Sequence, residues 1–370
     1  MKHRNIYQES TRHFLRPVVE LLDDPDVSEI LINGPETIYF EKSGRLNLAD
    51  ETSFESEAQL FAAARNIAEF AGRSLDSENH SMDARLPDGS RVHVIVPPSA
   101  RNGVCISIRK FRSESFDLEK LVQWDSLTAE AAEFLSIAVA LHRNLVIAGG
   151  TGSGKTSLLN ALSAEIPDHE RIVVIEDSSE LQLQQSHTIY LEAQPAQPDG
   201  GGEVSIRDLF VDSLRMRPDR IVVGEVRRGE ALDMIQSMIS GHSGSMTTVH
   251  ATTPRDAAVR LETLSMMSDV VLPAHIARLQ VASALQLVVC VNRQSDGSRK
   301  VETIAECLGM DANGQYQFQD LFRLHGQGRD SDDQIKAALE RCNNQPSFSR
   351  LVHQKGRGNR IQLTSTLFEA

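Results

Sequence analysis

Eight residues, Gly149-Gly150-Thr151-Gly152-Ser153-Gly154-Lys155-Thr156, fit the pattern G-x-x-x-x-G-K-[ST], with Ser157 directly behind them. That spacing suits one chemistry. Loop amides and a helix N-terminus give positive potential for α/β-phosphates, Lys155 reaches the β/γ-phosphates, and the Thr156 hydroxyl can ligate Mg²⁺. Two acids follow apolar runs downstream: Glu176, with Asp177 beside it, after Arg171-Ile172-Val173-Val174-Ile175, and Glu225 after Arg220-Ile221-Val222-Val223-Gly224. One such acid can hold the Mg²⁺ water shell while another orients or deprotonates an attacking water. Either, taken alone, could equally cap a helix. His242 and His250 lie in Gly241-His242-Ser243-Gly244-Ser245-Met246-Thr247-Thr248-Val249-His250. His250 follows a strand and can face phosphates, although a lone histidine can also simply pack. Arginine from a neighbouring subunit commonly meets γ-phosphate charge. Arg85, Arg91 and Arg109 lie on or beside N-terminal strands, and Arg215, Arg217 and Arg227 flank the Glu225 strand.

The elements needed to position these residues are visible in the pattern. Asn144-Leu145-Val146-Ile147-Ala148 is a buried-strand run before the phosphate loop, and Ser157-Leu158-Leu159-Asn160-Ala161-Leu162 has helical spacing after it. Further parallel-type strands are expected at 171–175, 220–223, 246–249 and 285–291, with helices between them. Thr128, Ser205 and Thr253 are natural N-caps, the last with Pro254 at the first helical position. This alternation is that of an α/β domain binding ligands at its strand carboxyl ends. Ahead of it, Val27–Ile32 and Thr37–Glu41 read as a hairpin, Glu57–Phe70 as a helix, and Arg91–Val96 and Val104–Arg109 as strands. The expected organisation is an N-terminal α/β domain over 1–112, a linker over 113–127, the P-loop domain over 128–310, and a polar tail over 311–370. That tail is expected to carry one helix, Asp332 to Cys342, capped by Ser331.

The 370 residues carry a net charge of −13, which argues against a non-specific nucleic-acid binder. The longest apolar runs fall far short of the ~20 residues that span a bilayer. No apolar segment follows Met1-Lys2-His3-Arg4-Asn5, so no signal peptide is expected and the protein is expected in the cytoplasm. Cys105, Cys290, Cys307 and Cys342 form no C-x-x-C pair, which disfavours a zinc site.

The order of motifs resembles the type II/type IV secretion ATPase superfamily. The resemblance rests on the phosphate loop, Ile175-Glu176-Asp177 as an Asp box, Arg217 to Arg227 as an atypical Walker B element with Gly224-Glu225, and Gly241-His242 to Val249-His250 as a His box. Within that superfamily, Val27–Pro35, Asp83–Val92 and Ile106–Phe111 look most like the tight-adherence (Flp) pilus assembly ATPases of CpaF type, with conjugation ATPases a close second. The resemblance implies a RecA-like domain with a mainly parallel sheet, preceded by a smaller PAS-like α/β domain. It further implies ATP and Mg²⁺ as ligands and a homo-hexameric ring with nucleotide sites between the two domains. Glu176 then matches the proposed general base, Glu225 the Walker B acid, and His250 the γ-phosphate sensor. Arg85, Arg91 and Arg109 match basic positions that approach nucleotide. The ring would sit at the inner face of the cytoplasmic membrane, peripheral through a platform protein, powering pilus assembly or protein secretion. Two other readings stay open: a conjugation/type IV secretion ATPase, and a nucleotide-gated ring with little turnover. A small-molecule kinase is disfavoured, because it leaves the His box unexplained.

Overall fold

The computed structural model describes residues 2–42, 44–76, 78–110, 117–194, 196, 201–329 and 335–368, and the chain divides into two units, Met1–Glu114 and Ser115–Ala370. The first unit runs α1 (Lys2–Phe14), α2 (Val19–Asp23), β1 (Val27–Asn33), β2 (Ile38–Lys42), β3 (Arg45–Leu48), α3 (Glu57–Phe70), β4 (Ser81–Arg85), β5 (Arg91–Ile95) and β6 (Cys105–Arg109). Its six strands form one antiparallel sheet in the order β3-β2-β1-β6-β5-β4. Period-two alternation sends Ile30, Ile32, Val92, Val94, Ile106 and Ile108 to one face, where they join Leu60, Ala64 and Ile67 of α3 in a single core. Ser56 caps α3 by accepting the Gln59 amide at 3.2 Å.

The second unit opens with α4 (Leu118–Gln123), α5 (Ala129–Ala140), β7 (Leu145–Ala148), α6 (Lys155–Ser163), β8 (Ile172–Glu176), β9 (Thr188–Glu192) and α7 (Ile206–Ser213). It continues through β10 (Arg220–Val223), α8 (Glu230–Ile239), β11 (Met246–Val249), α9 (Pro254–Ser265), α10 (Ala274–Ala284) and β12 (Leu287–Arg293). β13 (Arg299–Met310), β14 (Tyr316–Arg329) and β15 (Ile335–Arg341) close it. The strands form one sheet, β15-β14-β13-β12-β7-β11-β10-β8-β9, whose six strands from β12 to β9 are mutually parallel.

Both faces of the parallel part are covered over β7, β8, β10 and β12, so those strands carry consecutive buried apolar residues. Leu145, Ile147, Ile172, Val174 and Val222 pack with α4, α5 and α6. Their immediate neighbours Val146, Ala148, Val173, Ile175 and Val223 pack with α8, α9 and α10.

Three expectations change. The segment expected as a helix from Asp332 to Cys342 is strand β15 over Ile335–Arg341, while 330–334 lie outside the described residues. Ile335 and Leu339 are four apart and satisfy a helical face, but the antiparallel ladder to β14, with Leu324 opposite Leu339, decides the local structure. The expected tail is also continuous with the sheet. Phe322, Phe348, Leu367 and Phe368 enter the same core as Phe134 of α5. The expected linker 113–127 contains α4, capped by Asp117 and buried through Leu118 and Leu121, while 111–116 lie outside the described residues.

Candidate active site

The parallel register brings the functional residues to one edge. Ala148 pairs with Val249, Val223 with Thr247, and Ile175 with Val223. The phosphate loop, His250, Glu225 and Glu176 therefore leave or end four neighbouring strands at their carboxyl ends.

Gly149 starts the loop under a steric demand: a Cβ there would lie 2.4 Å from both Ser153 Oγ and the Val291 carbonyl. Gly154, the N-cap of α6, has φ +97°, a conformation that side-chain-bearing residues rarely adopt. The buried Lys155 ammonium donates to the Gly150 carbonyl at 2.8 Å, and Ser153 Oγ donates to the same oxygen at 2.9 Å. Thr156 and Ser157 are half-buried in the first turn of α6. A loop of amides at a nine-residue helix N-terminus, with an ammonium folded across it, is an anion cradle.

The two acids differ in what they already hold. Glu176 is 4% exposed, and its Oε1 accepts the amides of Glu180 at 2.8 Å and Leu181 at 3.0 Å, ordering the chain after β8. Gly224 makes room for it, since a Cβ there would meet Glu176 Cγ at 3.0 Å. Glu225, just past the end of the next strand, is only partly buried. Its Oε2 accepts from Arg227 Nε at 2.8 Å and lies 2.6 Å from Nη2, while Arg227 Nη1 reaches Asp177 at 3.1 Å. His250 Nε2 is 2.8 Å from Glu225 Oε1 but out of line for a hydrogen bond, so that oxygen is buried with no hydrogen-bond partner. Burial first, and then the Lys155 charge, hold the His250 imidazole below its ordinary value, against the opposing pull of Glu225. It is therefore neutral at pH 7.

An orphaned carboxylate oxygen at this edge, together with the Thr156 hydroxyl, is the hard-oxygen donor set that Mg²⁺ takes alongside water and phosphate. The residues fit that ion. Thr156 and Glu225 would hold it, and it would neutralise charge on the phosphates.

Arg85, Arg91 and Arg109 stand in one row across the first unit's sheet: Arg85 pairs with Arg91, Arg91 with Arg109, and Arg109 with Glu29. They share the face opposite the apolar core. Among the arginines flanking β10, only Arg227 joins Glu225. Arg215 and Arg217 are exposed before the strand's amino end.

Sequence reasoning missed Arg299, whose Nε donates to the Gly152 carbonyl at 2.9 Å. The turn Asp296-Gly297-Ser298 following a strand was a signal that the chain doubles back at this edge. The packing also brings Arg260 close enough for its charge to act on His250.

A phosphate loop on a parallel sheet, with acids and a histidine on neighbouring strand ends, defines a P-loop α/β protein. Residues 12–353 match the family of type II/IV secretion system proteins, and the chain belongs to that family. It is 34% identical to a putative conjugal transfer protein of Mycobacterium tuberculosis, over 77% of this chain and 82% of that protein. It is 33% identical to the type IV secretion system protein PtlH of Bordetella pertussis, over 79% and 94% respectively. With the type IV secretion system protein VirB11 of Bartonella henselae it shares 34% identity over 69% and 81%. Among solved structures it resembles the ATPase DotB of Legionella pneumophila, with a TM-score of 0.55 at 18% identity over 81% of each chain. The pilus retraction motor PilT with bound ADP gives a TM-score of 0.54 at 18% identity, over 95% of this chain and 88% of that one. The fold is the RecA-like one of these neighbours. Among the described residues, no helix is long and apolar enough to cross a membrane.

Proposed function

We propose that this chain is a motor ATPase that hydrolyses ATP with Mg²⁺ to power pilus assembly or protein secretion across a bacterial envelope. The observation that carries the reading is the buried Glu225 Oε1, which makes no hydrogen bond, at the edge where the phosphate loop presents Lys155. An acid oxygen open at this edge is what Mg²⁺ and an ordered attacking water require. In this reading Glu225 orders Mg²⁺ and its water, and neutral His250 senses the γ-phosphate. Glu176 is the base that the resemblance offers, and it also orders the chain at 180–181. The working form is a ring of identical copies, a hexamer by resemblance. The ring is cytoplasmic and held at the inner membrane by a platform protein, with Arg85, Arg91 and Arg109 serving a nucleotide of the assembled ring.

Two machines fit. The N-terminal segments Val27–Pro35 and Asp83–Val92 favour a tight-adherence pilus. The 33–34% identity to proteins named for conjugal transfer and type IV secretion favours a conjugation or type IV secretion machine.

Phosphate release from Mg·ATP by the purified chain, against a Lys155→Ala control, tests the motor reading. Wild-type turnover should exceed the control by about a hundredfold or more and rise per subunit with protein concentration. ATP binding without phosphate release above the control would leave only a nucleotide-gated ring. Turnover indifferent both to concentration and to replacement of Arg85, Arg91 and Arg109 would remove the cross-subunit arginines.

A further inference from the structure

The hairpin joining β12 to β13 backs the phosphate loop. Its turn is stiff: Gln294 N donates to Ser298 O at 2.7 Å, Gly297 N to Gln294 O at 3.0 Å, and Ser298 N to Asp296 Oδ1 at 2.9 Å. From this base Arg299 Nε donates to the Gly152 carbonyl at 2.9 Å, and its Cδ lies 3.1 Å from where a Cβ on Gly154 would sit. A trans peptide points its C=O and its N–H in opposite directions. Fixing the Gly152 carbonyl toward Arg299 therefore fixes the Ser153 N–H away from the hairpin. The orientation of that amide is what a phosphate cradle needs.

The next two residues grip something else. The buried Lys300 donates to the Asp125 carbonyl at 3.0 Å and pairs with its carboxylate, and Val301 N donates to Ser126 O at 2.8 Å. Asp125 has φ +55° in the turn that ends α4, where the Ser126 amide returns to the Leu121 carbonyl. That turn belongs to the segment through which the chain passes from the first unit into the second. Three consecutive residues of one strand thus hold the phosphate loop on one side and the incoming chain on the other.

Resting on the nucleotide-site reading above, we propose that Arg299 is a positioning residue that sets the Gly152–Ser153 peptide for phosphate, and that Lys300 and Val301 transmit the state of that loop to the 125–126 turn. The phosphate-bound loop holds Arg299 more firmly, and β13 passes the constraint to α4. The segment leading to the first unit then responds to nucleotide without touching it.

The test uses the full chain with Mg·ADP and Mg·ATP, comparing wild type, Arg299→Ala and Arg299→Lys. Losing one charge-assisted hydrogen bond should weaken Mg·ADP binding, and raise the KM for ATP, by about tenfold in Arg299→Ala. Arg299→Lys, which still offers a donor, should recover most of that loss. In wild type, Mg·ADP should slow amide exchange of peptides covering 118–127 by about threefold or more, and Arg299→Ala should lose this protection even at saturating nucleotide. Wild-type binding with an indistinguishable Arg299→Ala would overturn the positioning role alone. Protection at 118–127 that persists in saturated Arg299→Ala would overturn the transmission. A wild type that binds no nucleotide would bring down the motor reading and this inference together.

Discussion

Two clusters of the same three residue types, Arg, Glu and His, stand at opposite ends of β10. At its amino end Arg220 is 1% exposed, and all three guanidinium nitrogens have partners: Glu170, the Val139 carbonyl at 2.7 Å and the Gly244 carbonyl at 3.3 Å. Glu170 also takes His142 Nε2 at 3.1 Å. At the carboxyl end Glu225 holds Arg227 and faces His250. There the side chains of Arg227 and His250 are about half exposed, and one carboxylate oxygen has no hydrogen bond. The first cluster is closed and the second is open. Composition does not separate them, because buried charge saturated by hydrogen bonds is architecture, whereas a half-exposed cluster with an orphan oxygen is prepared for a ligand.

The comparison breaks most directly at Arg220. Arg220→Ala strands Glu170 in the interior and removes three hydrogen bonds, so it should destabilise the protein by about 3–5 kcal/mol. Nucleotide turnover by the fraction still folded should barely change. Denaturant unfolding together with turnover per folded molecule checks this; a variant stable yet inactive would move Arg220 into the site. Acid probes the same cluster. Burial disfavours the Glu170 carboxylate, but hydrogen bonds and charge from His142 and Arg220 outweigh it and hold the group down to about 2, against an ordinary 4.5. A depressed carboxylate stabilises the fold fully above 4.5 and loses that contribution as pH falls from 4.5 toward 2. The gap corresponds to about 3 kcal/mol. Unfolding free energy should therefore drop across that window, and the drop should shrink in Glu170→Gln.

The open cluster was the more legible of the two in sequence. Parallel strands buried on both faces read as largely apolar runs, so the residues at or just past the end of each run fall at the ligand edge, as Glu176, Glu225 and His250 do. The closed cluster joins Arg220 to Glu170, 50 residues apart, and no periodicity announces such a pair. Arg299 is further still, 147 residues from Gly152. Of the strands that escaped notice, β3, β4 and β9 lie at sheet edges with polar or half-exposed residues, where the apolar signal is weakest, whereas β13 and β14 lie inside the sheet in a stretch whose apolar residues are interspersed with polar ones. At 335–341, apolar residues four apart suited either period, and pairing with β14 settled the matter.

At the open end, Glu225→Gln keeps size and shape but removes the charge that Mg²⁺ and Arg227 require. We expect kcat to fall about a hundredfold, with ATP affinity within a few fold of wild type and stability unchanged. Equal kcat would make Glu225 a partner of Arg227 and nothing more, and the two clusters would then be alike.

The smallest effect separates the clusters by pH. Burial, the Lys155 charge and the charges of Arg227 and Arg260 all hold the His250 imidazole below its ordinary 6.5, with only Glu225 opposing. A lowered histidine stays neutral through pH 7 and takes its proton only at more acid pH, where a new cation would face Lys155 and Arg227. Turnover should therefore be level through neutral pH and decline only at pH more acid than the ordinary histidine range. In the closed cluster Glu170 is still ionised there, because its carboxyl is held down to about 2, so its contribution to stability should hold while activity falls. His250→Asn should flatten the profile. An inflection that survives the substitution belongs to another group, and the open cluster would then owe its pH response to something other than the histidine that most resembles its closed counterpart.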